Sequence, residues 1–324
     1  MVTAAWVSRF IYTAAKIGLA DHLAAGPRSA AELAGELGAH APSLHRFMRT
    51  LASLGLLAEQ ADQQFALTVL GEALQKGAPG SARSSVLTLH SPWFNSGLAE
   101  MEYSLETGET AFQKVHGMPV FEFLARHPEE ASMFSETMVG VHGAEPAAVA
   151  AAYEFSSAQT IVDVGGATGN LLAEILKLHP EPRGILFDLP HVVKDAPALL
   201  AGHGVEARVS IEAGSFFETV PAGHDLYLLS HIIHDWSEEQ CLAILGNVRQ
   251  AMKPGSKLLL VEMVLPLGDA PHPGKLLDMV MLVLPGGQER TESEYAALLA
   301  KAGFRLNRLI PTASAASIVE AVLV

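Results

Sequence analysis

The second half of the chain alternates short β-branched or leucine-rich runs with amphipathic stretches of helical length. Alternation of this kind predicts βαβ units, which build a mostly parallel sheet covered by helices on both faces. The runs that predict strands are residues 160–164, 183–189, 207–211, 225–233 and 256–264, followed by an edge hairpin of 305–311 and 316–324. The stretches that predict helices are residues 170–179, 191–202, 237–252 and 292–303. The expected fold class is therefore α/β, with a doubly wound, mostly parallel, seven-stranded sheet.

The first half of the chain is alanine-rich, has helical spacing and contains few β-branched runs. It predicts a helix over residues 2–25, a capping box of Ser29 and Glu32 that begins a second helix, a third helix over 42–54, and a hairpin over 56–67. Two short helices followed by a hairpin form a winged-helix layout. This layout leaves two interpretations open, which are DNA binding through residues 42–54 and a packing or dimerisation module.

The charge balance disfavours DNA binding. The net charge is −14, and the predicted helix over 42–54 offers only Arg46 and Arg49, whereas a DNA-binding protein needs a basic face. Hydrophobic residues make up 49% of the chain, which excludes a disordered protein, and no apolar run reaches the roughly 18–20 residues of a membrane span. The only cysteine, Cys241, fits a reducing compartment. We therefore expect a soluble, cytoplasmic protein that binds neither nucleic acid nor membrane.

The sharpest local signal is a glycine-rich turn between a predicted buried strand and a predicted helix. From Asp163 to Gly169 the pattern is D-x-G-x-x-x-G, and glycines there allow positive φ and close approach of a ligand to the backbone. The dinucleotide fingerprint G-x-G-x-x-G fails at Ala167 and Asn170. The pattern is instead typical of sites for S-adenosylmethionine, whose cationic methionine end favours an acidic residue ahead of the turn.

Asp188 supplies a second part of this predicted site. It ends the next strand, about twenty residues after the turn, where a carboxylate can accept hydrogen bonds from both ribose hydroxyls. Either feature alone is also explained as an ordinary strand–turn–helix corner. Together they predict a nucleoside-binding site.

His234 follows the predicted strand 225–233 and precedes Ser237, which is expected to cap the next helix. The carboxyl ends of parallel strands line the ligand crevice, so this imidazole is expected to face the cofactor side and to accept a proton from a substrate hydroxyl. Glu262, inside an apolar run, needs a buried partner that a strand-end histidine can supply. Glu289 is a further carboxylate that the sheet topology would bring near, but a pairing with Arg290 or with the start of the next helix explains it equally, and its spacing alone assigns it no function.

His231 and His234 invite a metal-site interpretation. Residues three apart on an extended strand face opposite ways, and no further ligands with familiar spacing follow. We therefore predict no metal site.

Together these residues resemble the small-molecule O-methyltransferases that depend on S-adenosylmethionine, of the plant caffeate and chalcone type and the bacterial polyketide-tailoring type. The stretches that carry the resemblance are residues 162–169, 187–192, 214–217, 234–237, 261–262 and 285–291, with 6–20 as the opening helix. The resemblance covers essentially the whole chain. It implies the Rossmann-like fold of class I methyltransferases, a winged-helix-like dimerisation domain over residues 1–90, a helical connector over 91–155 and a catalytic domain over 156–324.

The resemblance also implies roles for individual residues. His234 would be the catalytic base, flanked by Glu262 and Glu289. The residues expected to bind S-adenosylmethionine are Asp163, Gly165, Gly166, Asp188, Leu189, Ser215, Phe216 and Ser230. Relatives usually carry Asp at the position of Ser215 and often Lys at that of Ser230, so this chain departs from the pattern at both. Apart from the resemblance, the apolar pattern makes residues such as Trp93, Met133, Met138 and the stretch 278–284 candidates for the walls of the substrate pocket, and plain core is the alternative explanation. The residues expected to bind substrate are Trp93, Met133, Met138, Asp235, Asp278 and Met279.

The expected reaction is methyl transfer from S-adenosylmethionine to a hydroxyl, phenolic by expectation, of a small aromatic or polyketide-like molecule, by a homodimeric enzyme. Two alternatives stay open at this point. One is an enzyme of the same fold that uses S-adenosylmethionine for hydroxylation, decarboxylation or a pericyclic step. The other is a DNA-binding regulator that uses the winged helix.

Overall fold

The computed structural model describes residues 2–78 and 80–324, which divide into two compact units. The first unit is Met1–Glu100 with Phe112–Gly143, and the second is Met101–Ala111 with Ala144–Val324. Residues 91–155, expected to form a connector, are shared between the two units. In the described part of the chain, no helix combines the length and the apolar character needed to cross a bilayer.

The helices are α1 Ala4–Lys16, α2 Leu19–His22, α3 Ala30–Ala34, α4 Ala41–Ser53, α5 Val69–Glu72, α6 Arg83–Leu89, α7 Pro92–Ala99, α8 Met101–Thr107, α9 Ala111–His116, α10 Val120–Arg126, α11 Pro128–His142, α12 Glu145–Ala152, α13 Asn170–Leu178, α14 Ala196–His203, α15 Glu238–Ala251, α16 Pro273–Val283 and α17 Glu292–Lys301. Short 3-10 turns cover Ala61–Gln63, Phe155–Ser157, Val193–Asp195, Glu206–Arg208 and Ile233–Asp235. The strands are β1 Arg28–Ser29, β2 Leu57–Glu59, β3 Gln64–Leu67, β4 Thr160–Val164, β5 Arg183–Asp188, β6 Val209–Ala213, β7 Leu226–Ser230, β8 Lys257–Glu262, β9 Phe304–Pro311 and β10 Ser317–Leu323.

The first unit contains the predicted winged-helix elements. The capping box of Ser29 and Glu32 begins α3, and β2 and β3 form the expected antiparallel hairpin, which β1 extends to three strands. The single helix predicted over residues 2–25 is wrong, because Gly18 adopts a left-handed φ of +67° and separates α1 from α2. A bend there brings both helices onto one apolar core around Leu33, Met48 and Phe65.

The second unit is built on the predicted seven-stranded sheet, in the order β6-β5-β4-β7-β8-β10-β9. The first five strands in this order are parallel, and β10 runs antiparallel to both β8 and β9, which confirms the doubly wound fold with a hairpin at one edge. The chain reverses direction across the sheet between β4 and β7. In such sheets the ligand crevice lies beyond the carboxyl ends of the strands at this reversal.

Alternate residues of the central strands face two apolar layers, one on each side of the sheet. In β7, Leu226 and Leu228 face one layer while Tyr227 and Leu229 face the other. These strands are fully buried, which explains why their sequences are continuously apolar.

A buried carboxylate on the edge hairpin is satisfied by several donors. Glu320 of β10 is 1% exposed and accepts hydrogen bonds from the Tyr153 hydroxyl at 2.6 Å and from Arg308 Nε at 3.1 Å. Burial alone would raise the pKa of Glu320, but hydrogen bonds from Arg308, Tyr153 and Asn307 outweigh it and lower the pKa to about 2.

Candidate active site

The glycine turn after β4 depends on backbone conformations that other residues rarely adopt. Gly165 has a φ of +73° and Gly169 a φ of +85°, and the Gly165 N–H donates to the Phe187 carbonyl at 2.8 Å. A Cβ on Gly165 would lie 2.5 Å from Ile232 Cδ1, and one on Gly166 would lie 2.5 Å from the Asp163 carboxyl carbon. The turn is therefore packed directly onto the strand ends, and its glycines are required by space as well as by φ.

Asp163 lies beneath this turn, and its carboxylate can accept more hydrogen bonds than the protein supplies. The residue is 1% exposed, and among the described residues neither carboxylate oxygen has a hydrogen-bond partner of good geometry. Burial and the nearby charge of Asp188 raise the pKa of Asp163 to about 7, against a small opposing effect of the Leu172 N–H. A buried carboxylate without partners fits a ligand that brings a positive charge or hydrogen-bond donors.

Asp188 links the end of β5 to the glycine turn. Its Oδ2 accepts from the Ala167 N–H at 2.9 Å and its Oδ1 from the Leu189 N–H at 2.6 Å. Burial raises the pKa of Asp188, and these two hydrogen bonds oppose the shift. Each oxygen keeps a further lone pair, so the carboxylate can accept from two ribose hydroxyls.

Ser215 and Phe216 follow β6. Ser215 Oγ accepts from the Phe217 N–H at 3.2 Å, and the Phe216 carbonyl accepts from Asn247 Nδ2 at 2.9 Å. The Phe217 and Trp236 ring centroids are 4.8 Å apart, so the segment is anchored to the turn beyond His234. Asn247 was not predicted as a site residue, because nothing in the local sequence distinguishes a helical asparagine that contacts a loop from one that faces solvent. Ser230, the last residue of β7, is half-buried, and Leu189 is 40% exposed.

His234 is held by a carboxylate in the interior of the second unit. Its Nδ1 is hydrogen-bonded to Glu289 Oε1 at 2.7 Å, and the residue is 6% exposed. Burial lowers the pKa of His234 to about 4, although Asp235, whose Oδ1 lies 3.6 Å from Nε2, opposes the shift. With this pKa the ring is neutral at physiological pH. Its Nε2 makes no hydrogen bond to any described residue, because Asp235 Oδ1 at 3.6 Å is too far away.

Glu262 and Glu289 approach the same imidazole nitrogen. Glu262 Oε1 accepts from the Ile233 N–H at 2.9 Å, and its Oε2 lies 3.5 Å from His234 Nδ1. Burial raises the pKa of Glu262 well above its ordinary value and the pKa of Glu289 to about 7. The structure therefore brings together the three residues that the sequence analysis grouped as His234, Glu262 and Glu289.

The loop that carries Glu289 closes on the turn that carries His234 through main-chain contacts. The Gln288 N–H donates to the His234 carbonyl at 2.9 Å, and a Cβ on Gly287 would lie 1.9 Å from the same oxygen. The Glu289 N–H donates to Asp278 Oδ1 at 2.8 Å. Asp278, expected to bind substrate, thus supports the Glu289 backbone.

The geometric argument against a shared His231–His234 site is wrong. The strand predicted over 225–233 ends at Ser230, and His231 adopts a left-handed φ of +52° before the 3-10 turn Ile233–Asp235. The two rings consequently lie 5.2 Å apart, and ligand atoms of His231, His234 and Glu262 fall within 4.8 Å of one another. His231 Nε2 is 2.6 Å from Glu145 Oε1, so each imidazole has a carboxylate of its own. Both imidazoles of this cluster are therefore engaged by carboxylates.

The other predicted substrate residues are distributed over both units. In the first unit, Trp93 packs among aromatic rings and its Nε1 donates to Glu130 at 2.8 Å, while the Met133 carbonyl accepts from Thr137. Met138 is half-buried on α11. In the second unit, Met279 lies half-buried on α16 and Asp235 is beside His234. Each unit thus holds part of the predicted set.

A glycine turn with a strand-end acid, next to a carboxylate-bound imidazole at the reversal point of a doubly wound sheet, defines a nucleoside-dependent α/β enzyme with acid–base capacity. Two family models match the chain, an O-methyltransferase domain over residues 98–305 and an O-methyltransferase dimerisation domain over residues 1–77. The chain belongs to the O-methyltransferase family, and the predicted enzyme class is confirmed. The methyl donor of the family, S-adenosylmethionine, agrees with the cofactor predicted from the sequence.

Relatives match over nearly the full length of the chain. The phenazine O-methyltransferase PhzM of Lysobacter antibioticus is 45% identical over 321 residues, which are 99% of this chain and 94% of that protein. The crystal structure of LaPhzM superposes with a TM-score of 0.94 at 44% identity and covers 100% of this chain and 97% of that one. The O-methyltransferase NcsB1 from neocarzinostatin biosynthesis was solved with S-adenosylmethionine and 2-hydroxy-5-methyl naphthoic acid. It superposes with a TM-score of 0.87 at 32% identity and covers 98% of this chain and 96% of that one.

Proposed function

We propose that this enzyme methylates a phenolic hydroxyl of a small polycyclic aromatic metabolite, with His234 as general base. The observation that carries the proposal is the 2.7 Å contact between His234 Nδ1 and Glu289 Oε1 on a buried ring. With its Nδ1 proton directed at Glu289, the ring has a free lone pair on Nε2. Relatives that act on phenazine and bind a hydroxynaphthoic acid support the substrate class.

The chain's residues fit S-adenosylmethionine, which supplies a methyl group made electrophilic by the attached sulfonium. Asp188 would accept hydrogen bonds from the ribose hydroxyls, and the backbone of Gly165 and Gly166 would lie against the nucleoside. Asp163 would provide the buried negative charge for the cationic methionine portion, and Phe216 would border the adenine. Leu189, Ser215 and Ser230 complete this set of proposed cofactor contacts.

His234 performs the proton transfer. A free phenol has a pKa of about 10, so little of it is ionised at neutral pH, and a positioned base typically contributes about 10²–10⁴-fold. As Nε2 takes the proton, the ring becomes cationic, and Glu289 stabilises that charge through Nδ1. Glu262 holds the Ile233 N–H and thereby the turn that carries the ring. Asp235 stands beside Nε2 and is placed to contact the substrate.

The homodimer is part of the same proposal. Residues 1–77 match the dimerisation domain, which supports residues 1–90 as a dimerisation domain and 156–324 as a catalytic domain. We propose that Trp93, Met133, Met138 and Met279 contribute apolar surface for the substrate ring system. The free, buried thiol of Cys241 supports a reducing, intracellular environment.

The test combines calorimetric titration of S-adenosylmethionine and its demethylated product with mass spectrometry of hydroxylated phenazines and naphthoic acids. We expect binding of both nucleosides and a product heavier by one methylene. His234→Ala should bind both nucleosides as the wild type does and lose turnover, whereas His203→Ala, a surface histidine paired with Glu174, should stay active. Wild-type kcat in His234→Ala would refute the base assignment.

A further inference from the structure

Arg290 is a buried cation beside the proposed catalytic pair, and the mechanism above gives it no role. The residue is only 2% exposed. A guanidinium carries a permanent charge, and burying it is costly unless its donors are satisfied and nearby acids compensate it. Its position therefore requires a physical explanation.

The guanidinium bridges the two segments that supply the pair. Arg290 Nη1 donates to the carbonyls of Ile233 and Gln288, each at 3.1 Å. Ile233 directly precedes His234, and Gln288 directly precedes Glu289. The single nitrogen Nη1 thus fixes the backbone next to His234 and next to Glu289. The other terminal nitrogen, Nη2, lies 3.7 Å from Cys241 Sγ, which anchors the guanidinium on α15.

The same charge acts on the acids around it. Burial is the main cause that raises the pKa of Glu289; His231, Arg290 and His272 oppose this shift, and Asp278 adds to it. Burial also raises the pKa of Glu262, where Glu289 and Asp235 add to the shift and the Ile233 N–H and Arg290 oppose it. Arg290 also adds to the effect of burial in lowering the pKa of His234. Tyr295, whose ring lies 6.0 Å from the guanidinium carbon, and Cys241 have pKa values raised by burial, and Arg290 opposes these shifts as well.

We propose that Arg290 is a positioning residue, which holds the His234 turn and the Glu289 loop in register and places a buried positive charge near Glu289, the acceptor for Nδ1. This inference rests on the proposed function, because it gives Arg290 its effect through the His234–Glu289 pair. Arg290 touches neither the transferred methyl group nor the hydroxyl in this scheme. Its two contributions, hydrogen-bond geometry and charge, can be separated by substitution.

Arg290→Lys keeps the charge and removes the planar fork, whereas Arg290→Gln keeps a donor and removes the charge. We expect Arg290→Gln to lower kcat on the order of 10²-fold, because small misplacements of reacting groups have effects of that size. We also expect the acid limb of its kcat/KM profile to move to higher pH by roughly one unit or more, since a compensating charge has been lost. Arg290→Lys should lower kcat but keep the acid limb at the wild-type pH.

The control is Arg126→Gln, which removes an exposed guanidinium paired with Glu122 and should leave both quantities unchanged. Binding of the demethylated cofactor product, measured by calorimetry, should be the same in all three variants. If Arg290→Gln fails to fold, the kcat of Arg290→Lys still tests whether the planar guanidinium and its two hydrogen bonds are needed. Folded Arg290 variants with wild-type kcat and acid limb, beside an inactive His234→Ala, would overturn this inference alone. An active His234→Ala would overturn the proposed function instead.

Discussion

A Cβ atom at position 287 would lie 1.9 Å from the carbonyl oxygen of His234, so glycine is the residue that allows the Glu289 loop to close on the His234 turn. The neighbouring Gln288 N–H completes the closure by donating to that same oxygen. The distance between the imidazole and its carboxylate therefore depends on the absence of a side chain two residues away. This dependence can be tested directly.

Gly287→Ala should separate the loop from the turn and reduce kcat on the order of 10²-fold, because the His234–Glu289 hydrogen bond lengthens. Overpacking of this kind typically costs about 1–3 kcal/mol of unfolding free energy. Steady-state kinetics and thermal unfolding measure the two effects. Gly202→Ala is the matched control, since its φ is not left-handed and a Cβ there meets nothing within 4 Å. A Gly287→Ala enzyme as active as Gly202→Ala would contradict the closure.

Activity should depend on the ionisation of Glu289. Burial raises the pKa of Glu289 to about 7 and lowers the pKa of His234 to about 4. As the pH falls through about 7, Glu289 takes up a proton and the acceptor for Nδ1–H is lost, so kcat/KM should decrease while the ring is still neutral. Glu289→Gln should have a kcat on the order of 10²-fold lower and no limb near pH 7.

The control is Glu292→Gln, which removes an exposed carboxylate at the start of α17. This variant should keep the decrease in kcat/KM near pH 7. A limb that persists near pH 7 in Glu289→Gln would assign it to another group, with Asp235, whose pKa burial raises to about 6, as the first candidate.

Asp163→Asn should make the free protein more stable and weaken cofactor binding. The folded pKa of Asp163, about 7, is above the ordinary 3.8, so the folded state binds more protons and loses stability as the pH rises between these values. The amide removes this penalty, and the melting temperature at pH 8 should increase. The affinity for S-adenosylmethionine should fall on the order of tenfold, as expected for losing an interaction with a charged group.

Thermal shift assays with and without the demethylated product separate the two effects of Asp163→Asn. Both melting temperatures should be compared at pH 8 and at pH 4, where the stability difference is expected to disappear. A variant that is less stable at pH 8 and binds normally would contradict the role given to this carboxylate.

Glu320 should stabilise the edge hairpin with the opposite pH dependence. Its pKa is lowered to about 2 from 4.5, so its contribution is complete above about 4.5 and is lost as the pH falls toward 2. Glu320→Gln should lower the free energy of unfolding at pH 7 by about 1–3 kcal/mol. The difference from the wild type, followed by chemical denaturation, should shrink below pH 4, and a difference independent of pH would show that packing dominates.

Features that the sequence predicts correctly are local or periodic. Ser29 with Glu32 forms a capping box within one helical turn, Ser237 caps α15 as expected, and the central strands follow from unbroken apolar runs. The glycine turn is equally local, because its conformation follows from residues that are adjacent in the chain.

The features that were missed depend on contacts between distant residues. Strand β7 ends at Ser230 rather than at residue 233, because the left-handed φ of His231 directs its ring to Glu145, which is 86 positions away in the chain. The contact of Asn247 with the Phe216 carbonyl and that of Arg290 with the Ile233 carbonyl are also long-range. The composition of the chain and the periodicity of its hydrophobic residues carry no information about such long-range pairs.

The seam between the His234 turn and the Glu289 loop consists of the hydrogen bond from the Gln288 N–H to the His234 carbonyl, the close approach allowed by Gly287, and the Arg290 guanidinium that bridges both segments. Substitutions at Met279, whose side chain takes no part in these contacts, should therefore leave the His234–Glu289 pair in place. Laboratory libraries that randomise Met279 and its neighbours, while sparing Asp278 and residues 285–291, should explore new acceptors on an inherited catalytic frame.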